Sequence, residues 1–171
     1  MRGRTAIERG SGHAPPERGS ERREQILQAT CEVIGELGMH EMRLSDVAKR
    51  AGVSSGTVHY YFDNKRSLLV AAFEYNFDRS LTRRRSLLEA DQPPLALLEE
   101  LIGSYLPREQ ETLVAWKVWA ELWAEAMRDR EFQEINERLY EDWRHLVAEI
   151  IAPRPAGRHR PRRRSAPAGE H

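Results

Sequence analysis

The sequence predicts an all-α protein in which a small N-terminal head of three helices is joined by a long fourth helix to a helical body. Two observations predict this. Apolar residues recur at the 3.6-residue spacing of amphipathic helices, and glycine, proline or a capping side chain marks the ends of these segments. No run alternates with the two-residue period of a strand. A chain of 171 residues suffices for one domain, or for two small ones that share a long helix.

Four helices are predicted in the N-terminal half of the chain, over residues 21–37, 45–51, 55–61 and 65–89. Gly38 and Gly52 end the first two, because glycine adopts the positive φ of a helix C-terminus without a Cβ clash. Val53 then turns the chain with its side chain inward. Side chains that can accept a free backbone N–H open the other three helices: Ser45, Ser54 or Ser55, and Asn64.

Three further helices are predicted in the body, over residues 94–105, 108–128 and 131–151. Pro93, Pro94 and Pro107 punctuate the chain here, since proline fits a first helical turn but interrupts a helix interior. The sixth helix is apolar on most sides, which predicts a central, buried helix. One of its faces carries five apolar side chains: Leu113, Trp116, Ala120, Trp123 and Met127.

Composition excludes several classes of protein. Mean hydropathy is −0.69 and no apolar run approaches about 18 residues, so no membrane-spanning helix and no membrane partner are expected. No apolar segment of the kind found in secretory signals follows the N-terminal arginines. The single cysteine, Cys31, leaves no internal disulfide or cysteine-rich zinc site, and is expected to be a small buried hydrophobic residue. The chain is therefore expected to be soluble and cytoplasmic.

The zero net charge conceals three blocks of different sign. Residues 1–70 carry 11 basic and 9 acidic side chains, residues 71–150 carry 10 and 17, and residues 151–171 carry 6 and 1. Basic ends suit a polyanion, whereas the acidic middle suits a neutral or cationic partner. Within the middle block, the consecutive arginines 83–85 are expected to lie in solvent.

The two ends of the chain are rich in glycine, proline and arginine and poor in apolar side chains. Residues 1–19 and 152–171 are therefore predicted to be disordered. The C-terminal arginines either bind DNA phosphates or have no role. The N-terminal arginines either reach a minor groove as a flexible arm or form an unused extension.

Residues 42–69, with the sequence MRLSDVAKRAGVSSGTVHYYFDNKRSLL, carry the functional signal. The predicted order of helix, glycine-containing turn and second short helix is that of a helix-turn-helix. Small residues from Ser54 to Thr57 let the start of the second helix approach phosphates and base edges in a major groove about 12 Å wide. The Thr57 methyl group suits a thymine methyl.

Longer polar and aromatic side chains follow these small residues. His59, Tyr60 and Tyr61 supply rings and donors that can span groove and backbone, and Lys65 supplies a cation suited to a phosphate. The alternative is a helix-turn-helix shape that serves packing alone.

The segment GVSSGTVHYYFDNKRSLL resembles the recognition-helix signature of the tetracycline-repressor (TetR) family, and the similarity extends over residues 21–69. The resemblance implies an all-α homodimer whose fourth helix links a DNA-binding head to a ligand-binding body, and repression that a bound ligand relieves. It also implies that Val58 and Phe62 are core residues. The residues expected to contact DNA are Arg43, Ser45, Ser54, Ser55, Gly56, Thr57, His59, Tyr60, Tyr61 and Lys65.

The run WKVWAELWAEAMRDREFQEINERLYEDWRHLV, residues 116–147, is similar to the branch of the family that contains the choline-responsive repressor of the betaine pathway. Aromatic faces near Glu121 or Glu125 would suit a quaternary ammonium or a polyamine. Alternatively the tryptophans only fill the core, as large aromatic residues at helical spacing commonly do. The residues expected to line a ligand site are Trp116, Trp119, Trp123, Tyr140 and Trp143.

These features divide the chain into a disordered extension (1–19), a helix-turn-helix DNA-binding domain (20–66), a ligand-binding and dimerisation domain (67–151) and an Arg/Pro-rich tail (152–171). Members of the family usually continue with one or two more helices, the last of which pairs across the dimer; here the tail occupies that position.

The leading hypothesis is a ligand-responsive repressor whose partners are a palindromic DNA operator and a small-molecule effector. The alternative is a truncated or atypical DNA-binding protein without a ligand response. An enzyme, a metal site and a cofactor are not predicted, since the sequence offers no nucleophile–base pair, phosphate-binding loop or metal-ligand cluster.

Overall fold

The computed structural model describes residues 16–90 and 92–152, and the regular structure in these ranges is entirely α-helical. The predicted all-α fold class is therefore confirmed. The helices follow one another as α1 (Pro16–Leu37), α2 (Leu44–Arg50), α3 (Ser55–Tyr61), α4 (Lys65–Glu89), α5 (Pro94–Tyr105), α6 (Gln110–Ala126) and α7 (Arg130–Ile151).

The predicted disorder at the two ends of the chain falls almost entirely on residues 1–15 and 153–171, which lie outside the described residues. Where the structure does describe the N-terminal segment, the helix begins earlier than expected. α1 starts at Pro16, so residues 16–19 open a helix instead of belonging to a disordered extension. A proline is compatible with this position, because the first turn of a helix does not use its backbone N–H.

The head is built around the side chains that α2 and α3 turn inward. Val47 and Val58 are fully buried and Phe62 is almost so, which confirms the core positions expected of the last two. Between the two helices, Gly52 takes a φ of 64°, the left-handed conformation that the sequence predicted for a glycine at this helix end. The N–H of Val53 then donates to the carbonyl oxygen of Ala48 at 2.9 Å, which fixes the turn.

α4 is the central helix of the molecule and packs against α1, α5, α6 and α7. Phe73 and Phe77 on α4 are buried and meet Phe132 of α7 and Trp119 of α6 edge to face, with ring centroids 5.7 and 5.9 Å apart. α1 also packs directly against α6. Since α1 belongs to the head and α6 to the body, one continuous apolar core joins the two parts.

α3, α4 and α5 begin and end at the residues that local sequence signals predicted. Asn64 caps α4 as expected, because its side-chain oxygen accepts a backbone N–H three residues further on at 2.9 Å. Ser45 does not cap α2, which was a wrong prediction. The helix begins one residue earlier, at Leu44, and the N–H of Arg43 before it donates to the carboxylate of Asp46 at 3.0 Å.

α6 differs from its prediction in length and in burial. It is shorter than the predicted range of 108–128. Its predicted apolar face is open instead of buried, since Trp116, Trp123 and Met127 are 39%, 44% and 81% exposed. The side that packs against the core is another one, formed by Ala115, Val118 and Leu122. A helix with apolar residues on several sides does not reveal from its sequence which side the neighbouring helices will cover.

Cys31 lies in the core as expected, and its Sγ donates a weak hydrogen bond to the carbonyl oxygen of Ala72 at 3.5 Å.

Within residues 16–90 and 92–152, no helix is both long and apolar enough to cross a bilayer. In the same ranges, no three His, Cys, Asp or Glu side chains converge in the manner of a metal site.

Candidate DNA-binding face and ligand cavity

The predicted recognition helix, α3, has one buried side and one open side. Val58 anchors the buried side in the head. An α-helix whose polar side projects from a compact head has the shape needed to enter a major groove. Most of the residues predicted to contact DNA from this region are exposed to solvent, namely Ser54, Ser55, Gly56, His59 and Tyr60.

Ser54 and Thr57 also stabilise the start of α3. The backbone N–H of Thr57 donates to Ser54 Oγ at 3.0 Å, and the two side-chain hydroxyls lie 2.9 Å apart. Of the two serines that the sequence left open, Ser54 is therefore the capping residue, and Ser55 lies in the first turn of the helix. Contacts of Ser54 and Thr57 with a DNA backbone would have to be compatible with this cap.

Among the residues that the structure describes, none requires a glycine at position 56. A Cβ added there would lie 3.7 Å from Ser54 Oγ, an ordinary van der Waals distance, and the residue does not have a positive φ. Glycine inside a helix lowers stability by about 0.5–1 kcal/mol relative to alanine. A glycine that costs stability and fills no structural need points to close approach by an external partner.

Tyr60 and Tyr61 form an edge-to-face pair with ring centroids 5.0 Å apart. Tyr61 is half-buried and packs against the apolar core, whereas Tyr60 is 78% exposed. The inner ring therefore supports the outer one, and Tyr60 is the tyrosine that projects from the head.

Three predicted DNA contacts lie outside α3. Arg43 and Ser45 are exposed at the start of α2. Lys65 opens α4, and its Nζ donates a hydrogen bond to the carbonyl oxygen of His40 at 2.7 Å. An ammonium group has three donors, so this bond leaves two for a phosphate while it ties Lys65 to the loop between α1 and α2.

The five aromatic residues predicted to form a ligand site line a single cavity of about 440 Å³ between α4, α5, α6 and α7. This volume lies within the range of small-molecule sites, about 300–1,000 Å³. Trp119 and Trp143 are half-buried, and the other three are exposed. None of the four tryptophans is buried, which is not the packing expected of residues that only fill a core.

Two aromatic stacks form walls of this cavity, one on α6 and one on α7. On α6, the rings of Trp119 and Trp123 stack with centroids 6.1 Å apart, and Trp116 meets Trp123 edge to face at 6.0 Å. On α7, the rings of Tyr140 and Trp143 stack at 5.3 Å. Planar side chains held in this way present flat faces to an apolar or aromatic ligand.

Tyr105, at the end of α5, connects the two walls and was not singled out by the sequence. Its carbonyl oxygen accepts a hydrogen bond from Trp116 Nε1 at 2.7 Å, and its hydroxyl accepts one from Trp143 Nε1 at 2.5 Å. These partners lie 11 and 38 residues further along the chain. Because the link joins three helices, no local pattern could have identified it.

Arg84 was predicted to lie in solvent and is instead 2% exposed, among the residues that line the cavity. Its Nε donates to Ser104 Oγ at 2.9 Å, and the guanidinium lies 3.5 Å from the centroid of the Tyr105 ring. Burial lowers the pKa of Arg84, because the charged guanidinium is desolvated. One signal could have revealed this position: Arg84 follows the buried Phe77 by seven residues, two helical turns, and so continues the apolar stripe of α4.

Glu121 and Glu125, expected beside the aromatic faces, contact the head instead, so that expectation was wrong. Glu121 Oε2 accepts a hydrogen bond from the backbone N–H of Met39 at 3.0 Å, and Glu125 Oε2 lies 3.2 Å from His40 Nε2. Helical geometry explains the difference. At about 100° per residue, positions 121 and 125 lie on the opposite side of α6 from the tryptophans.

A second link joins the body to the start of α4. Arg66 pairs with Asp129 at 2.7 Å and with Glu131 at 2.5 Å, and its guanidinium lies 4.8 Å from the centroid of the Phe132 ring. These bonds raise the pKa of Arg66, through Asp129 first and Glu131 second, and Arg66 lowers the pKa of Asp129. The turn between α6 and α7 is therefore attached to the residue next to Lys65.

Two family models match the two parts of the chain. Residues 26–72 match the bacterial regulatory proteins of the tetR family, and residues 94–168 match the C-terminal domain of BetI-type transcriptional repressors.

Among curated relatives, the HTH-type transcriptional regulator BetI of Serratia proteamaculans is 31% identical over 125 residues, which are 70% of this chain and 63% of the relative. BetI of Yersinia pestis is 32% identical over 126 residues with the same coverage. The chain thus spans less than two thirds of the length of these relatives.

Solved structures resemble about three quarters of the chain. A putative transcriptional regulator from Saccharomonospora viridis, in complex with choline, has a TM-score of 0.70 and 27% identity, and the match covers 77% of this chain and 69% of that one. A putative TetR-family transcriptional regulator from Rhodococcus sp. has a TM-score of 0.68 and 30% identity, over 77% of this chain and 70% of that one. Head and body occur together in these matches.

Proposed function

The chain belongs to the TetR family of bacterial regulatory proteins, and on that premise we propose that it is a ligand-responsive transcriptional repressor. It binds a palindromic DNA operator as a homodimer, and a small molecule in the cavity between α4 and α7 releases it. One observation carries the proposal. The tryptophans of α6 face the cavity, while Glu121 and Glu125 on its opposite side contact the head.

The DNA-binding half of the proposal places α3 in a major groove. Small residues open this helix, Tyr60 projects beyond it, and Lys65 stands at the start of α4 with donors left for a phosphate. In a dimer with two-fold symmetry, two such helices fit successive major grooves about 34–36 Å apart. The expected operator is therefore a near-palindrome with two half-sites.

The ligand-responsive half follows from the mechanical links between body and head. A ligand that enters between the aromatic walls moves α6 relative to α4. Glu121 and Glu125 transmit that movement to Met39 and His40, and the carbonyl oxygen of His40 holds Lys65. The ligand thereby favours a head orientation that no longer fits the two grooves, which is a shift between two populations.

α4 gives this movement its reach. It has 25 residues and so extends over about 37 Å, with the cavity towards one end and the head at the other. A small tilt at the cavity becomes a larger displacement of α3.

The test is a selection of binding sites from random-sequence duplex DNA, followed by footprinting of the selected sequence. We expect two protected half-sites with centres about 10 base pairs apart, and a dimer in solution by light scattering. Protection of a single half-site by a monomer, or no sequence preference, would contradict the proposal. Operator binding that no small molecule changes would support the alternative, a DNA-binding protein without a ligand response.

A further inference from the structure

The ligand cavity is lined by positive charge. Among the described residues, its charged lining side chains are Arg83 and Arg84, and the others are aromatic, aliphatic or neutral polar. Two carboxylates of α6, Glu121 and Glu125, point to the head instead of the cavity. The electrostatic potential inside the cavity therefore depends on how far these two guanidinium groups are balanced by other charges.

Arg83 has a counter-ion of its own. Its Nη1 donates to Glu111 Oε1, which also accepts from Arg79 Nη2 at 2.9 Å. These arginines, Arg79 before Arg83, lower the pKa of Glu111, so its carboxylate is charged near neutral pH. The charge of Arg83 is therefore balanced by Glu111.

Arg84 has no such partner. It is 2% exposed, and no carboxylate of the described residues lies within 4.0 Å of its guanidinium. Its acceptors are neutral: the carbonyl oxygen and hydroxyl of Ser80, both at 2.6 Å, and the hydroxyl and carbonyl oxygen of Ser104, at 2.9 and 3.0 Å. Nη2 carries two N–H groups and has one acceptor in the described part of the chain.

A buried cation without a counter-ion is costly, and buried arginines are normally paired for that reason. Tyr105 supplies a π face at 3.5 Å, which stabilises the guanidinium only in part. The same aromatic faces could attract a cationic ligand. Such a ligand would enter a cavity that holds an unbalanced positive charge and no acidic lining residue among those described.

We propose that the effector of this chain is an amphiphilic carboxylate. Its carboxylate accepts a hydrogen bond from Arg84 Nη2, and its aromatic or branched apolar body lies between the Trp119–Trp123 stack and the Tyr140–Trp143 stack. The inference rests on the proposed function, because it names the effector class of the same cavity. It also distinguishes this chain from the S. viridis regulator, whose structure contains choline, a cation.

Three probes of similar shape and different charge test this inference: 4-phenylbutyrate, the neutral 4-phenylbutanamide, and the cation (3-phenylpropyl)trimethylammonium, with choline as a fourth. Quenching of tryptophan fluorescence reports binding, because all four tryptophans of the chain line the cavity. We expect the carboxylate to bind at least about tenfold more tightly than the amide, the difference made by one charge-assisted hydrogen bond. Equal binding of carboxylate and amide, or tighter binding of either cation, overturns the inference.

Two variants locate the effect at Arg84. Arg84→Gln is expected to weaken 4-phenylbutyrate binding about tenfold or more while it leaves the affinity for the amide within about twofold. If Arg84 had a purely structural role, the substitution would weaken the binding of 4-phenylbutyrate and of the amide equally, and that result overturns the inference. Arg85→Gln removes the same charge from an exposed position of the same helix and serves as the matched control. If Arg84→Gln fails to fold, Arg84→Lys, which keeps a cation in place, is measured instead. Its affinities for the probes are then compared with the wild-type probe series to test the role of Arg84.

Operator binding measured on the same preparations separates the two proposals. If the protein binds the operator but shows no preference for the carboxylate probe, the proposed effector class is overturned and the proposed function is retained. If the protein binds the carboxylate probe through Arg84 but does not bind an operator, the proposed function is overturned and the carboxylate-binding role of the cavity is retained.

Discussion

Glu121 on α6 accepts a hydrogen bond from the backbone N–H of Met39 at 3.0 Å, although the two residues are 82 positions apart in the sequence. The loop that contains Met39 approaches α6 closely. Glu121 Oε1 lies only 3.3 Å from where a Cβ would stand on Gly38, whose φ of 80° allows the loop to turn there. The loop between α1 and α2 therefore joins the DNA-binding head to the helix that carries the cavity tryptophans.

The free energy of unfolding is expected to fall by about 1–3 kcal/mol when Glu121 is replaced by alanine, because the N–H of the nearly buried Met39 loses a charged acceptor. Urea denaturation followed by circular dichroism measures this. Glu149→Ala, at an exposed position of α7, is the matched control and should change stability by no more than about 0.5 kcal/mol. Equal losses in the two variants would show that the contact is not stabilising.

Gly56→Ala should separate stability from DNA binding. We expect the variant to be more stable by about 0.5–1 kcal/mol, since alanine favours the helix and its Cβ has room. Operator affinity should nevertheless fall at least about tenfold, as a close approach worth about 1.4 kcal/mol is lost. Gly103→Ala in α5, where a Cβ meets no atom of the described residues within 4 Å, should stabilise the protein without any change in operator affinity. Undiminished operator binding by Gly56→Ala would refute the close approach at α3.

The salt dependence of operator binding should identify Lys65 as a phosphate contact. The slope of log affinity against log salt concentration is expected to decrease by about one in Lys65→Gln, because one phosphate neutralisation is lost. Fluorescence anisotropy with labelled operator DNA at several salt concentrations gives the slope. Lys117→Gln removes the same charge from an exposed position of α6 and should leave the slope unchanged. An identical slope in all three proteins would leave Lys65 with its structural bond to His40 alone.

Asp129 should make stability depend on pH on the acid side. Arg66 lowers the pKa of this carboxyl below its ordinary 3.8, so its contribution is fully present above about pH 3.8 and is lost as the pH falls through the lower, folded-state pKa. Asp129→Asn keeps an N-cap residue on α7 but has no proton to gain, so its urea midpoint should decline less between pH 5 and pH 2.5. Asp142→Asn, exposed on the same helix, should decline as the wild type does. Parallel declines in Asp129→Asn and wild type would disprove the linkage.

The thiol of Cys31 should be unreactive in the native protein. Burial raises its pKa to about 12, so almost no thiolate is present at pH 8, and the side chain is enclosed between α1 and α4. Ellman's reagent should label it only as fast as the protein unfolds, and at once in urea. Rapid labelling of the native protein at pH 8 would contradict the burial of this residue.

Local interactions explain why much of the helical structure could be predicted. The caps Ser54 and Asn64 bind backbone groups within three residues of themselves, and Pro94 opens α5 through its own fixed φ. The buried positions of Val58 and Phe62 also follow from short-range spacing. The family resemblance drew on the same segment, and the comparisons confirm it.

The candidate ligand site was predictable only in part. Its five aromatic residues were identified because they recur at helical spacing along α6 and α7, and they do line one cavity. Tyr105 and Arg84 were missed, since Tyr105 is bonded to Trp143 from 38 positions away and Arg84 to Ser104 from 20. In the sequence, the position of Arg84 on the apolar stripe of α4 was the one signal that set it apart from Arg83 and Arg85, and the packing of α5 on α4 buries it.

Pattern and spacing in the sequence were enough to predict seven helices, the exact ends of three of them and the open side of α3, because these features depend on interactions within a few residues. The family resemblance was carried by one such short segment. The direction in which α6 faces was settled by packing in three dimensions. This helix has apolar residues on several sides, so burial against α1 and α4 selected the side of Val118 and Leu122. That choice placed Glu121 against the head, left the tryptophans to the cavity, and gave the cavity an arginine where the sequence had suggested a carboxylate.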